Sequence, residues 1–152
     1  MDGNAQEGNC GMNGQSESTL VMVDDCVDEI HMTERRIRRE GIVNRFESAR
    51  DPEKLEETLK KLEASGVDRN SFLILLDINM PRTDGFETLK ALRSHSDYKD
   101  VPVLMLSGSD DEDDMFECFE LGGDGYLVKP FSGDEFFSAV QNIPRIKKKI
   151  LQ

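Results

Sequence analysis

The sequence predicts an α/β fold: a doubly wound five-stranded parallel sheet with five helices. Five short apolar runs alternate along the chain with five segments of helical periodicity. That order builds a parallel sheet covered on both faces. The central runs are apolar throughout, as strands buried on both faces are. The length, 152 residues, fits one domain, and a chain of this size buries roughly 70% of its extended surface.

The elements follow in order. Residues 1–18 are rich in Gly, Asn, Gln, Ser and acid, with almost nothing to bury, and read as a disordered tail. Residues 19–23 form the first apolar run. Residues 27–39 read as a helix with Val27, Ile30 and Ile37 on one side, ended by Gly41. Residues 42–48 alternate apolar and polar side chains, which leaves the buried face ambiguous and suits an edge strand. A helix over 52–64 carries Pro52 near its start and Leu55, Leu59 and Leu62 at helical spacing. The third strand is the apolar run 72–76, followed by a helix over 85–93 and a fourth strand over 101–106. A helix over 112–121 is closed by Gly122-Gly123. A short strand over 126–128 and a helix over 134–142 complete the domain, assigned to 19–143. Residues 144–152 form a basic extension, Arg145-Ile146-Lys147-Lys148-Lys149-Ile150, too short for a second domain. The expectation is a stand-alone domain with no DNA-binding output module.

Composition narrows the function classes. Thirty-one acidic residues against 19 basic ones give a formal net charge of -12. So acidic a chain offers few cations to nucleic-acid phosphates, so nucleic acid is not an expected partner. Cys10, Cys26 and Cys118 are odd in number and widely spaced. They fit neither a disulfide framework nor a zinc site and point to reduced thiols in a cytoplasmic protein. No apolar run approaches the ~20 residues of a membrane span. The polar N-terminus lacks a signal-peptide pattern, so no membrane association is expected.

The chemistry gathers at the strand ends. Ligands of open α/β sheets bind beyond the carboxyl ends of the strands. The first strand runs into Asp24-Asp25, the third into Asp77, the fourth into Ser107 and the fifth into Lys129-Pro130. Taken singly, each is a turn residue, a cap or a surface side chain. Together they place three carboxylates on one rim, where they repel one another and call for a cation. Oxygen ligands suit Mg²⁺ or Mn²⁺. A lysine and a hydroxyl opposite them suit an anion such as a phosphoryl group, which describes a phosphoryl-transfer site.

These residues carry a resemblance. The segments VMVDDC, LILLDINMPRTDGFE, VPVLMLSGS and GYLVKPFS, in this order, resemble the receiver domain of two-component response regulators over residues 19–143. The long stretch between the second strand and Asp77 resembles the single-domain regulators that partner phytochrome-type histidine kinases. The resemblance implies the flavodoxin-like receiver fold and phosphoryl transfer onto Asp77 from a sensor histidine kinase or a phosphotransfer protein. It implies Mg²⁺ (or Mn²⁺) held by the side chains of Asp25 and Asp77 and the backbone carbonyl of Asn79, with Asp24 on a metal-bound water. It gives Ser107 and Lys129 the phosphoryl oxygens, makes Tyr126 the aromatic switch, and makes Lys129-Pro130 a cis peptide. Such a chain is a phosphoacceptor signalling domain and not an enzyme acting on a foreign substrate.

Two competing functions are weaker. A phosphatase or mutase with an aspartyl nucleophile generally needs a second acid two residues later, where this chain has Asn79. A pseudo-receiver that only binds partners has no use for Asp24, Asp25, Asp77, Ser107 and Lys129 together. The acids Asp110–Asp114 suit a helix N-terminus, where each gains about 0.3–1 kcal/mol; the alternative is a role in repelling phosphodonors or selecting a basic partner. His31 and His95 lack ligand partners. Met22, Met32, Met80, Met105 and Met115 read mainly as core filler, and Cys118 as a buried thiol. Output is expected through the face of the fourth helix, fifth strand and fifth helix, by self-association as a homodimer or by partner binding. Most of Phe116, Phe119, Phe131, Phe136 and Phe137 are expected in the core there.

Overall fold

The computed structural model describes residues 18–41, 45–80, 84–108 and 110–143. The expected tail up to residue 17, residues 42–44 of the expected second strand, and the basic extension at 144–152 lie outside the described residues.

Five parallel strands form one sheet: β1 (Thr19–Val23), β2 (Arg45–Ala49), β3 (Phe72–Asp77), β4 (Val103–Ser107) and β5 (Gly125–Val128), in the order β2-β1-β3-β4-β5. The helices are α1 (Val27–Glu40), α2 (Leu55–Ala64), α3 (Gly85–Ser94), α4 (Glu112–Glu120) and α5 (Gly133–Gln141). From β1 the chain moves outward to β2, then crosses back to β3 on the other side. The strand order therefore reverses between β1 and β3, and a crevice at such a point is where open α/β sheets bind ligands. Val23 pairs with Leu76 there, so Asp24 and Asp77 leave adjacent strands side by side.

The sheet divides the core in two. Val21, Val23, Ile74, Leu76, Val103 and Met105 meet Leu55, Leu59 and Leu62 of α2, Leu89 and Leu92 of α3, and Cys118 of α4. Leu20, Met22, Leu73, Leu75, Leu104 and Leu106 meet Ile30 and Ile37 of α1 and Phe136 and Val140 of α5. Successive side chains of a strand point to opposite faces, so a strand covered on both sides is apolar along its interior. Every residue of β1, β3 and β4 is buried, which is why these runs stood out in the sequence.

Some boundaries differ from expectation, each for a local reason. β2 is an edge strand, and it settles the face left open by the sequence: Phe46 and Ala49 are buried and its other residues exposed. It runs on to Ala49, whose carbonyl accepts from Asp24 N at 3.1 Å. The expected helix over 52–64 opens as a 3-10 turn, Pro52–Lys54, because Asp51 Oδ1 takes the Glu53 N–H at 2.9 Å. β4 starts at Val103, since Pro102 has no N–H to give the ladder; Val101 and Pro102 are apolar because they too are buried. At the other end β4 includes Ser107, whose carbonyl accepts from Lys129 N at 2.7 Å. Gly41 ends α1 as expected, with φ 68°; a capping box of Ser132 and Glu135, not singled out in the sequence, opens α5.

Two side-chain expectations change. Met22, Met80 and Met105 are core, but Met32 is exposed. It occupies the outer side of α1, whose inner positions are Ile30, Thr33 and Ile37. Among the five phenylalanines only Phe131 and Phe136 are buried; Phe116, Phe119 and Phe137 are exposed. On α4 Cys118 takes the inward position, which turns Phe116 and Phe119 outward.

Gly85 fixes how α3 meets the sheet. A Cβ there would stand 2.8 Å from Ile78 Cα and 3.1 Å from the Asp77 carbonyl oxygen. The first turn of α3 therefore lies against the backbone that carries Asp77, at a distance that only glycine permits.

Candidate functional site

β1 and β3 end in carboxylates at the reversal point. Carboxylate oxygens of Asp24, Asp25 and Asp77 lie within 4.8 Å of one another. Asp24 and Asp77 are buried, whereas Asp25 is exposed. Asp24 Oδ1 accepts from Cys26 N at 3.0 Å. Its other oxygen, Oδ2, is buried with no hydrogen-bond donor among the described residues. Burial is the main cause that pushes the Asp24 pKa up to about 6; the Cys26 N–H opposes it, the Asp77 charge adds to it, and Lys129 opposes it.

Asp77 has a partner on each oxygen. Oδ1 accepts from Asn79 N at 3.0 Å. Oδ2 accepts from Lys129 Nζ at 3.0 Å. Lys129 follows β5, ahead of a cis bond to Pro130, and its ammonium also lies 2.8 Å from Glu29 Oε2 and 3.6 Å from Asp24 Oδ2. Burial works against the charge of this lysine, but its hydrogen bonds to Glu29 and Asp77 outweigh it and raise its pKa. It remains a cation throughout the ordinary pH range.

The hydroxyl side of the site is also engaged. Ser107, fully buried at the end of β4, donates from Oγ to Asn79 Oδ1 at 2.9 Å. Gly108 N donates to the same oxygen at 3.1 Å. Tyr126 on β5 is hydrogen-bonded to Ser107; burial raises its pKa, and that bond opposes the rise. The seven residues singled out from the sequence thus occupy one rim: Asp24, Asp25, Asp77, Asn79, Ser107, Tyr126 and Lys129.

Two features were missed. Glu29 reaches Lys129 from the first turn of α1, and its position four residues after Asp25 was the signal available. Asn79 was assigned only a backbone role, yet its side-chain amide ties the loop after β3 to the end of β4. The bland residues stay apart. His31 is exposed on α1. His95 Nε2 lies 3.3 Å from Glu56 Oε2, away from the rim. Burial pushes the Cys118 thiol up to about 12. Asp111 caps α4 by accepting from Asp113 N at 2.8 Å, and Glu112, Asp113 and Asp114 fill its first turn.

The donor set fits a small hard dication. It offers carboxylate oxygens alone, crowded together, one of them buried without a donor. Mg²⁺ and Mn²⁺ take such oxygen ligands, and thiophilic metals do not favour them.

Comparison with known proteins agrees with this geometry. Residues 20–141 match the family described as the response regulator receiver domain. The transcriptional regulatory protein ResD of Bacillus subtilis is 35% identical over 136 residues, 88% of this chain and 51% of ResD. The chain thus spans about half the length of that relative. The bacteriophytochrome response regulator RtBRR superposes with a TM-score of 0.72 at 27% identity, covering 84% of this chain and 78% of that one. The Mn²⁺-bound form of the response regulator Rcp1 gives 0.63 at 29% identity, covering 83% and 91%. Among the described residues no helix is long and apolar enough to cross a membrane.

The raised Asp24 pKa makes a signed prediction. The folded state binds this proton more tightly than the unfolded chain, so ionised Asp24 destabilises the fold. The cost is complete above about pH 6 and disappears as pH falls through 6 toward 3.8. In EDTA at pH 7.5, Asp24→Asn should be more stable than wild type by about 1–3 kcal/mol. Urea titrations of both proteins at pH 7.5 and pH 4.5 check this, and the difference should shrink at the lower pH.

Proposed function

The chain belongs to the response regulator receiver family, and on that premise we propose that Asp77 is its phosphoacceptor, with a sensor histidine kinase or a phosphotransfer protein as the donor. Receivers of this family take phosphoryl groups from such donors. One observation carries the assignment to this residue: Asp77 is buried at the end of the central strand with Lys129 Nζ on one oxygen and Asn79 N on the other. In the transfer an Asp77 oxygen attacks phosphorus. The phosphorus–nitrogen bond to the donor imidazole breaks, its electron pair stays on nitrogen, and a proton restores the neutral ring.

Such transfers depend on positioning and charge neutralisation. Lys129 supplies a point charge beside the nucleophile. The Ser107 hydroxyl and the Gly108 N–H, both on Asn79 Oδ1, are the donors available to phosphoryl oxygens once they turn from it. Asp25 and Asp77 side chains and the Asn79 carbonyl would hold Mg²⁺ or Mn²⁺, with Asp24 acting through a bound water. When bound, the ion neutralises charge on the phosphoryl oxygens. Asn79 stands where an aspartyl phosphatase needs an acid, which favours a signalling switch over an enzyme with a foreign substrate.

The expected test result is labelling by acetyl phosphate or a phosphorylated kinase in Mg²⁺, read by phosphate-affinity electrophoresis. Asp77→Asn and an EDTA control should both fall to background. Equal labelling of the Asn variant would remove Asp77 from the role.

Output is read through α4, β5 and α5. Phe116 and Phe119 lie three residues apart on α4, with Phe137 on α5, and all are exposed. Their surroundings are acidic: Glu112, Asp113, Glu117, Glu120, Asp134 and Glu135, with no Lys or Arg between Asp110 and Val128. A two-fold contact sets a surface against itself, which here opposes like charges, so a cationic apolar partner fits better than a second copy. Sedimentation velocity with and without beryllofluoride should show an unchanged mass. A dimer on activation would assign the face to self-association.

A further inference from the structure

The shortest ion pair of Lys129 is not with Asp77. Its ammonium lies 2.8 Å from Glu29 Oε2, against 3.0 Å from Asp77 Oδ2 and 3.6 Å from Asp24 Oδ2. The Glu29 side chain is 38% exposed, against 2% for Asp77 and 1% for Asp24. Glu29 is therefore the member of the ring on the solvent side. Both residues line a cavity of about 240 Å³, together with Met32, Thr33, Arg36 and Phe131 among others.

We propose that Glu29 is a brake on phosphoryl uptake: it competes with Asp77 for the Lys129 ammonium and adds a fixed negative charge at the mouth of the site. The inference rests on the reading of Asp77 as phosphoacceptor.

Two physical arguments support it. The first is competition for hydrogens. In the resting site the ammonium is shared between Glu29 and Asp77. When an Asp77 oxygen bonds to phosphorus, the aspartyl group loses its own charge and its hold on Lys129. The phosphoryl oxygens then need that ammonium, while Glu29 keeps its charge and its contact. Each hydrogen given to Glu29 is one withheld from the phosphoryl group. The second argument is charge. Asp24, Asp77 and Glu29 surround the Lys129 ammonium, Asp25 lies beside the two aspartates, and a phosphoryl group brings about −1.5 to −2 more. Glu29 is the one acid of the four that is placed to oppose this charge without a part in holding a cation or the phosphoryl group.

An ion pair that merely ties α1 to the end of β5 would behave differently. Partly exposed pairs of that kind contribute little to stability, and breaking one would not accelerate chemistry. Glu29 is thus a positioning residue acting through Lys129, and rate and anion affinity separate it from a structural tie.

The experiment uses the full chain with Mg²⁺ and acetyl phosphate as donor. In that reaction the phosphorus–oxygen bond to acetate breaks, acetate leaves with the electron pair, and an Asp77 oxygen–phosphorus bond forms. Initial rates are measured for wild type, Glu29→Gln and Glu29→Asp at low and high ionic strength. Beryllofluoride affinity is followed in parallel by amide NMR. Glu29→Gln keeps the shape and a weak hydrogen bond but removes the charge. It should react about fivefold faster at low salt, an advantage that narrows as added salt screens the site. It should also bind beryllofluoride more tightly. Glu29→Asp retains the charge and should stay near wild type. A Gln variant that is no faster than wild type at low salt, with unchanged beryllofluoride affinity, overturns the brake. If wild type itself takes no label, the phosphoacceptor reading falls and this inference with it.

Discussion

Crowding of like charge at the reversal point of the sheet is the constraint on which the rest of the structure depends. Asp24 and Asp77 leave neighbouring strands at the same level, and Asp25 completes a cluster within 4.8 Å. Two of these carboxylates are almost wholly buried. A fold built only for stability would not bury them together, because each desolvated charge weakens the next. Lys129 answers part of the charge and the backbone N–H groups of Cys26 and Asn79 another part. Among the described residues Asp24 Oδ2 is left with no hydrogen-bond donor, an imbalance that a dication would resolve. The two apolar layers around the sheet supply the stability that the site does not.

The same residues give the site a way outward. Asn79 N holds one oxygen of Asp77, and Asn79 Oδ1 takes the Ser107 hydroxyl and the Gly108 N–H. Ser107 in turn is hydrogen-bonded to Tyr126 on the edge strand β5. A continuous set of hydrogen bonds thus runs from the nucleophile to the strand flanked by α4 and α5. A phosphoryl group can move this set only through its differential contacts with the two arrangements. In the proposed switch Ser107 would be the link at which it acts, because its hydroxyl, now on Asn79, would also serve a phosphoryl oxygen. Glu29 works from the opposite side, on the lysine.

How much was legible in the sequence follows from what each signal reports. β1, β3 and β4 were clear because burial on both faces leaves their interiors apolar, with polar residues only at an end: Thr19, Asp77 and Ser107. β2 was ambiguous because an edge strand buries only Phe46 and Ala49. The rim residues were legible because the strand ends place Asp24, Asp77, Ser107 and Lys129 on one side without any knowledge of side-chain direction. Glu29 and the Asn79 amide were not, since both depend on where a side chain turns. The outward phenylalanines were missed for a similar reason: hydrophobicity predicts burial, but α4 has one inward face and Cys118 occupies it.

The central claim is that burial, with the Asp77 charge beside it, destabilises ionised Asp24 until a cation arrives. Carboxyl ¹³C NMR of Asp24 across a pH titration, without metal and with saturating Mg²⁺, tests it most directly. The account predicts a pKa of about 6 in the metal-free protein, falling to the ordinary carboxylate range or below when the ion binds. An Asp24 that titrates near 3.8 without metal, and does not respond to Mg²⁺, would contradict it.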